Sequence, residues 1–361
     1  MPDAVETQGI QAQVPEPPVQ PSSPYARTSA VARRWTGRTP FWIGVVDLVL
    51  VLVFWALSTN HVFLSLKSFQ NIALDGAEIV LLASGQAMLL GAGLIDISLP
   101  ATLILSSVVG GRVLVAVSGT NAQVTAGVYP HLGLGIAAGV AVCVAVGALV
   151  GLVNGLVVTR LKVNSLIATL AVWSIALGLA QVVSGDTDVA YVPTALQTYF
   201  GDTSFLGLIP YPALLVGVVV IGLWWTLTKT RFGMRTLAIG SSKQAAERAG
   251  LKVANHELLL LVMMGTLAGI AGFIDLSHFA STDISGHTTD ALAAISGAVI
   301  GGTSLFGGVA SIGGAVLGAL LAQILNAGLV TMNVQPYYQL IAVGLVLIVA
   351  VYFDSRRRTR R

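Results

Sequence analysis

Ten stretches of the chain are apolar along almost their whole length: 41–58, 76–95, 97–117, 133–158, 165–184, 211–228, 256–275, 289–305, 309–332 and 337–353. Most come close to the roughly 20 residues that a helix needs to cross a bilayer. The pattern predicts an all-α polytopic membrane protein of about ten transmembrane helices. The second and third stretches are joined tightly around Asp96, in GAGLIDISLP, which suits a broken helix. Pro100 fits the first turn of a new helix there, with Ser98 as its cap and the Asp96 carboxylate near its N-terminus. Residues 1–40 break the pattern. They are rich in Pro, Gln, Ser and Ala, which predicts a disordered tail. The first apolar run starts only at Phe41, so the order of a cleavable signal peptide is missing.

Composition agrees with the pattern. Of 361 residues, 55% are hydrophobic and 10% charged, and the mean hydropathy is +0.83, outside the range of soluble domains. The single cysteine, Cys143, lies in an apolar run and has no partner for an intramolecular disulfide. The net charge of +3 is a matter of topology rather than of nucleic-acid binding. Four Lys and Arg lie in the N-terminal tail, two after the fourth span, six at 229–252 and five in the C-terminal tail. That places 17 of the 19 on one side of a ten-span arrangement. By the positive-inside rule both termini and the 229–252 loop are cytosolic. The expected organisation is a cytosolic tail at 1–40, a membrane domain at 41–353 and a basic cytosolic tail at 354–361.

Small residues recur every fourth position. One stripe includes Gly135, Gly139, Cys143, Gly147, Gly151 and Gly155; another includes Gly314 and Gly318; Gly301 and Gly302 lie in the eighth span. Lipid gives helices no hydrophobic reason to associate, so close backbone approach at small residues is the expected packing device. GALVGLVNGLVV at 147–158 echoes GALLAQILNAGLV at 318–330, and the two run in opposite senses, as in an inverted repeat. Ionisable residues in spans are few: Asp47, Asp75, Glu78, Asp96 and Arg112, with Asp47 and Arg112 expected to snorkel toward interfaces. Asp96, Ser98, Asn154, Thr169 and Asn326 are the candidates for a translocation pathway; Asn154, Thr169 and Asn326 suit either a hydroxyl-rich solute or interhelical hydrogen bonding.

The basic loop contains a short helix. Ser241 as N-cap and Gln244 three residues on read as a capping box, and Gly250 as a stop. The result is about two turns, too short to be stable alone, with Ala245, Ala246 and Ala249 as an apolar face for a partner's groove. Gly240, Ser241, Gln244, Ala245, Ala246, Arg248, Ala249 and Gly250 form the candidate docking segment. The sequence holds no phosphate-binding loop, no metal-ligating Cys/His spacing and no nucleophile elbow, so no catalytic, cofactor or metal residues are assigned and an enzyme is not expected.

At four elements the chain resembles the permease subunits of bacterial ABC importers for monosaccharides, the ribose, xylose and arabinose type. These are Gly93 to Pro100, Asn154-Gly155 followed by Lys162 to Ala171, Thr230 to Gly250, and Ile300 to Gly308. The chain departs from the family pattern at Leu94 and Asn164, and at Ala291 and Ala293, where acids are usual. The resemblance implies a homodimer of permeases in the bacterial inner membrane, two cytosolic ATP-binding-cassette ATPases seated on the 240–250 helix, and an extracytoplasmic sugar-binding protein. A nucleoside-like solute, or an ion-coupled secondary transporter without ATPase partners, are the alternatives.

Overall fold

Backbone-to-backbone contact at glycine decides which helices touch. The computed structural model describes residues 39–345, apart from 283, 285, 288, 336, 339, 340, 342 and 343. Both predicted tails and most of the predicted tenth span lie outside the described residues. Among the described residues, eight helices are long and apolar enough to cross a membrane. They are α1 (Thr39–Leu57), α2 (Leu66–Gly91), α3 (Leu99–Ser118), α4 (Leu132–Thr159), α5 (Ser165–Ser184), α6 (Tyr211–Lys229), α9 (Val253–Phe279) and α11 (Ile312–Thr331). Two short amphiphilic helices, α7 (Arg231–Ser241) and α8 (Lys243–Arg248), lie between α6 and α9. The expected eighth span is instead α10, Asp290–Ile300, of 11 residues. That is about 16 Å of helix, half a hydrocarbon core, and the described residues between Ala280 and Thr289 that precede it are not helical.

The helices α2, α3 and α9 form the centre, with most of their apolar windows buried, whereas α1, α4, α5 and α6 leave broad apolar faces open, as lipid-facing helices do. The helix α4 lies against α9 through Gly147 and Gly151. A Cβ on Gly147 would overlap the Gly265 carbonyl oxygen and approach Gly269 Cα at 2.8 Å; one on Gly151 would overlap the Leu261 carbonyl oxygen. Gly301 and Gly314 meet in the same manner between α10 and α11, as do Gly297 and Gly318. Gly302 makes a turn instead, at φ 92°. The echoed segments lie on α4 and α11, and these two helices run in opposite directions relative to α7 and α8. The C-terminal end of α4 (Val158, Thr159) shares a cleft with Gly240, and the residues leading into α11 begin beside the same end of the bundle, where Ala310 faces Gly91.

The stretch between α5 and α6 covers the other end of α9. It contains a two-residue antiparallel pair, Ser204–Phe205 with Ile209–Pro210. Gln197 Nε2 donates to the His278 carbonyl at 2.8 Å, Val189 N to Thr282 Oγ1 at 3.0 Å, and Phe200 packs on Phe273 at 5.7 Å between ring centroids.

Candidate functional site: a docking helix and two buried polar clusters

Three features follow from these elements. The first is the α7–α8 pair. Thr230 caps α7 by accepting from Gly233 N, and Ser242 caps α8 by accepting from Ala245 N at 3.3 Å. The cap of the short helix is thus Ser242, not Ser241, which is the last residue of α7; two adjacent serines offer the same local signal, and the tertiary seating of α7 selects the second. Ala246 also departs from the sequence expectation. It is buried against Ile239, Val253 and Leu251, so it fixes α8 to the bundle rather than facing outward. The exposed surface of α8 consists of Lys243, Gln244, Ala245, Glu247 and Arg248, followed by Ala249 and Gly250. Gly250, at φ 82°, ends it in a left-handed conformation that glycine adopts without strain.

Several links tie this pair to the membrane helices. Lys243 Nζ pairs with Glu257 Oε1 on α9 at 2.8 Å, where the Glu257 side chain is only 4% exposed. Thr236 Oγ1 meets His256 Nε2 at 2.8 Å, and the His256 ring stacks on Phe232 at 4.3 Å. Gly240 lies directly on the end of α2. An added Cβ there would overlap the Gly91 carbonyl oxygen and come within 2.7 Å of Gly308 N. Gly308 N itself donates to that Gly91 carbonyl at 3.0 Å. Gly307 and Gly308 have φ of 86° and 78°, so the glycine-rich loop after α10 is shaped to hold α2 and α7 together. An open cleft of about 860 Å³ lies between this junction and the α2–α3 break, lined by Gly93, Lys162, Asn164, Lys243 and Glu257 among others.

The second feature is the break itself. Four of the five predicted pathway residues come together there, all buried. Asp96 Oδ1 accepts from Ser98 N at 2.8 Å and Ser98 Oγ at 2.6 Å, and Asn154 Nδ2 donates to Ser98 Oγ at 2.8 Å. Ile97 N donates to Thr169 Oγ1 at 3.1 Å, and Ile95 N to Ser165 Oγ at 3.3 Å. Hydroxyls of α5 thus satisfy amides that the helix break frees inside the membrane. Ser98 holds the N-cap position, yet its side chain serves Asp96 instead of capping α3. Asn326 is not part of the network; its helix, α11, packs on α1, α2 and α10. Asn164, where the family has proline, caps α5 by accepting from Leu166 N at 2.9 Å.

The third feature is a cluster at the end of α9 remote from α8 that the sequence reading did not assemble. His287 Nδ1 lies 2.7 Å from Asp290 Oδ2, and its Nε2 lies 3.2 Å from Asp275 Oδ1. Ser107 Oγ donates to Asp275 Oδ2 at 3.1 Å. Glu78 on α2 faces the same group. Asp75 and His278, 3.8 Å apart, lie nearby on the same two helices. Asp275 was legible: an acid inside an apolar run is costly and marks a functional position. Two further buried groups sit elsewhere. Gln86 is fully buried with both amide atoms unpaired among the described residues, and Asp47 is buried mid-helix in α1 rather than snorkelling. Arg112, in contrast, reaches the Ser184 carbonyl at the C-terminal end of α5, at 2.8 Å.

The family model described as "branched-chain amino acid transport system / permease component" matches residues 68–351. The L-arabinose ABC transporter permease protein AraH of Azospirillum brasilense is 34% identical over 320 residues, 88% of each chain. The ribose import permease protein RbsC of Bacillus subtilis is 34% identical over 319 residues, 88% of this chain and 92% of that protein. The D-allose transport system permease protein AlsC of Escherichia coli is 30% identical over 306 residues, 85% of this chain and 88% of that one. No solved structure matches the chain.

Proposed function

The chain belongs to this family of transport permease components and is a multi-pass membrane protein, and from that premise we propose that it is the membrane subunit of an ATP-driven importer of a monosaccharide. It works as a homodimer in the bacterial cell membrane, with both termini and α7–α8 in the cytosol. ATP is hydrolysed by separate cassette subunits, and an extracytoplasmic binding protein delivers the sugar. Support for the cargo comes from the similarity to the arabinose, ribose and allose permeases.

The observation that carries this reading is the seating of α8. It exposes a short polar helix outward while an ion pair on α9 and the Gly240–Gly91–Gly308 contact tie its base to α2, α9 and the loop after α10. A force applied to α8 is therefore transmitted to three membrane elements at once, as rigid-body switching between outward- and inward-open states requires. Ala245, exposed and at the centre of α8, is the docking position to disturb. Reconstituted with its ATPase and binding protein, Ala245→Arg loses at least about tenfold of sugar-stimulated ATPase activity, about 1.4 kcal/mol of coupling, with an unchanged melting temperature. Full coupling in that variant overturns the role given to α8, and uptake of a labelled sugar panel by the wild-type complex tests the cargo.

A further inference from the structure

Asp275, His287, Asp290 and Glu78 bring three carboxylates around one imidazole, in the interior of a membrane bundle. One oxygen of Glu78, one nitrogen of His287 and one oxygen of Asp290 lie within 4.8 Å of one another. Glu78 is 8% exposed and accepts no hydrogen bond from any described residue. Its carboxylate is thus buried, without a hydrogen-bond donor among the described residues, and close to the other two groups. Buried carboxylates in this number call for positive charge beyond what one imidazole supplies.

The arrangement around His287 tells what kind of charge. Asp275 holds Nε2 at 3.2 Å, and Asp275 is itself fixed by Ser107 Oγ. That is the supporting shell of a metal-binding histidine, in which one ring nitrogen donates to a carboxylate and the other is oriented toward an ion. The other nitrogen, Nδ1, faces Asp290 at 2.7 Å.

We propose that Glu78, His287 Nδ1 and Asp290 form a binding site for a divalent transition cation, with Asp275 as the positioning residue of His287. An imidazole with two carboxylates suits Zn²⁺ or Mn²⁺. On binding, the cation takes the place of the proton between Nδ1 and Asp290, and that proton is released. Ligand atoms around Zn²⁺ lie roughly 3–4 Å apart, so side-chain rotation alone closes the set. The ion ties α2 to the first residue of α10. The site does not depend on which solute is carried.

The test uses the full chain in detergent, with its affinity tag removed and after chelator treatment, titrated with ZnCl₂ and MnCl₂ by calorimetry. One ion per chain is expected, with affinity reduced at least about tenfold in Glu78→Gln and in Asp290→Asn, reduced to a similar degree in Asp275→Asn, and unchanged in His131→Ala. Absence of binding, or equal affinity in Glu78→Gln and Asp290→Asn, overturns the site. X-ray absorption of the Zn²⁺-loaded wild type gives an answer that needs no variant to fold. One imidazole with oxygen ligands supports the assignment; two or more imidazoles overturn it.

Discussion

At the C-terminal end of α2, one carboxylate, Asp96, is surrounded by donors; midway along the same helix, Glu78 joins two other carboxylates at one imidazole. Both groups are buried, and both lie where α2 meets other helices. At the break, Asp96 Oδ1 is held by Ser98, the Ile95 and Ile97 amides by hydroxyls of α5, and Ser98 Oγ by Asn154 of α4, with Asn154 Oδ1 the one side-chain oxygen of this network buried without a partner among the described residues. Around Glu78 the acceptors outnumber the donors. Polar satisfaction of the first kind holds a structure together. An excess of like charge, kept at the expense of stability, is the mark of a group retained for what it binds.

That contrast can be broken by mutation. Asp96→Ala leaves the Ser98 N–H and hydroxyl without their acceptor; it should cost about 3 kcal/mol and lower the melting temperature more than any other change at either cluster. Asn154→Leu, which removes the donor to Ser98, should cost about 1–2 kcal/mol in the same measurement. Glu78→Gln should have the opposite sign. With chelator present it removes like-charge repulsion from Asp275 and Asp290 and should stabilise by about 1 kcal/mol; a loss of that size would make the two clusters alike. Thr169→Val has the smallest effect, about 0.6 kcal/mol, because one hydroxyl acceptor is lost and Ile97 N alone is left unpaired.

Hydropathy located the helices well because the bilayer reads only length and apolarity. It failed where a charge interrupts a helix or backbone leaves helical form. The seventh stretch was expected to stop at 275, yet α9 continues to Phe279 because Asp275 finds Ser107 and His287 inside the protein. The eighth was expected to run over 289–305, yet α10 ends at Ile300 and the glycine-rich backbone turns from Gly301 onward. Four pathway candidates were found from residue type alone, since a buried polar group needs partners wherever it lies. Their role as mutual partners was not legible, because Asp96, Asn154 and Thr169 meet only through tertiary packing. The same holds for Glu78 and His287, which are distant in sequence. The inward face of Ala246 is set by Ile239 and Val253, residues outside the two-turn helix whose face was being read.

The glycine contact between α4 and α9 has a mechanical consequence. It holds α9 over a long stretch, with Gly155 on Leu258, Gly151 on Leu261, and Gly147 on Gly265 and Gly269. Glu257, the anchor of Lys243, lies just before that stretch, and Asp275 lies beyond it. A helix held over that length moves as one rod. If α8 is drawn as the proposed function requires, Glu257 and Asp275, about 27 Å apart along the helix, are displaced together.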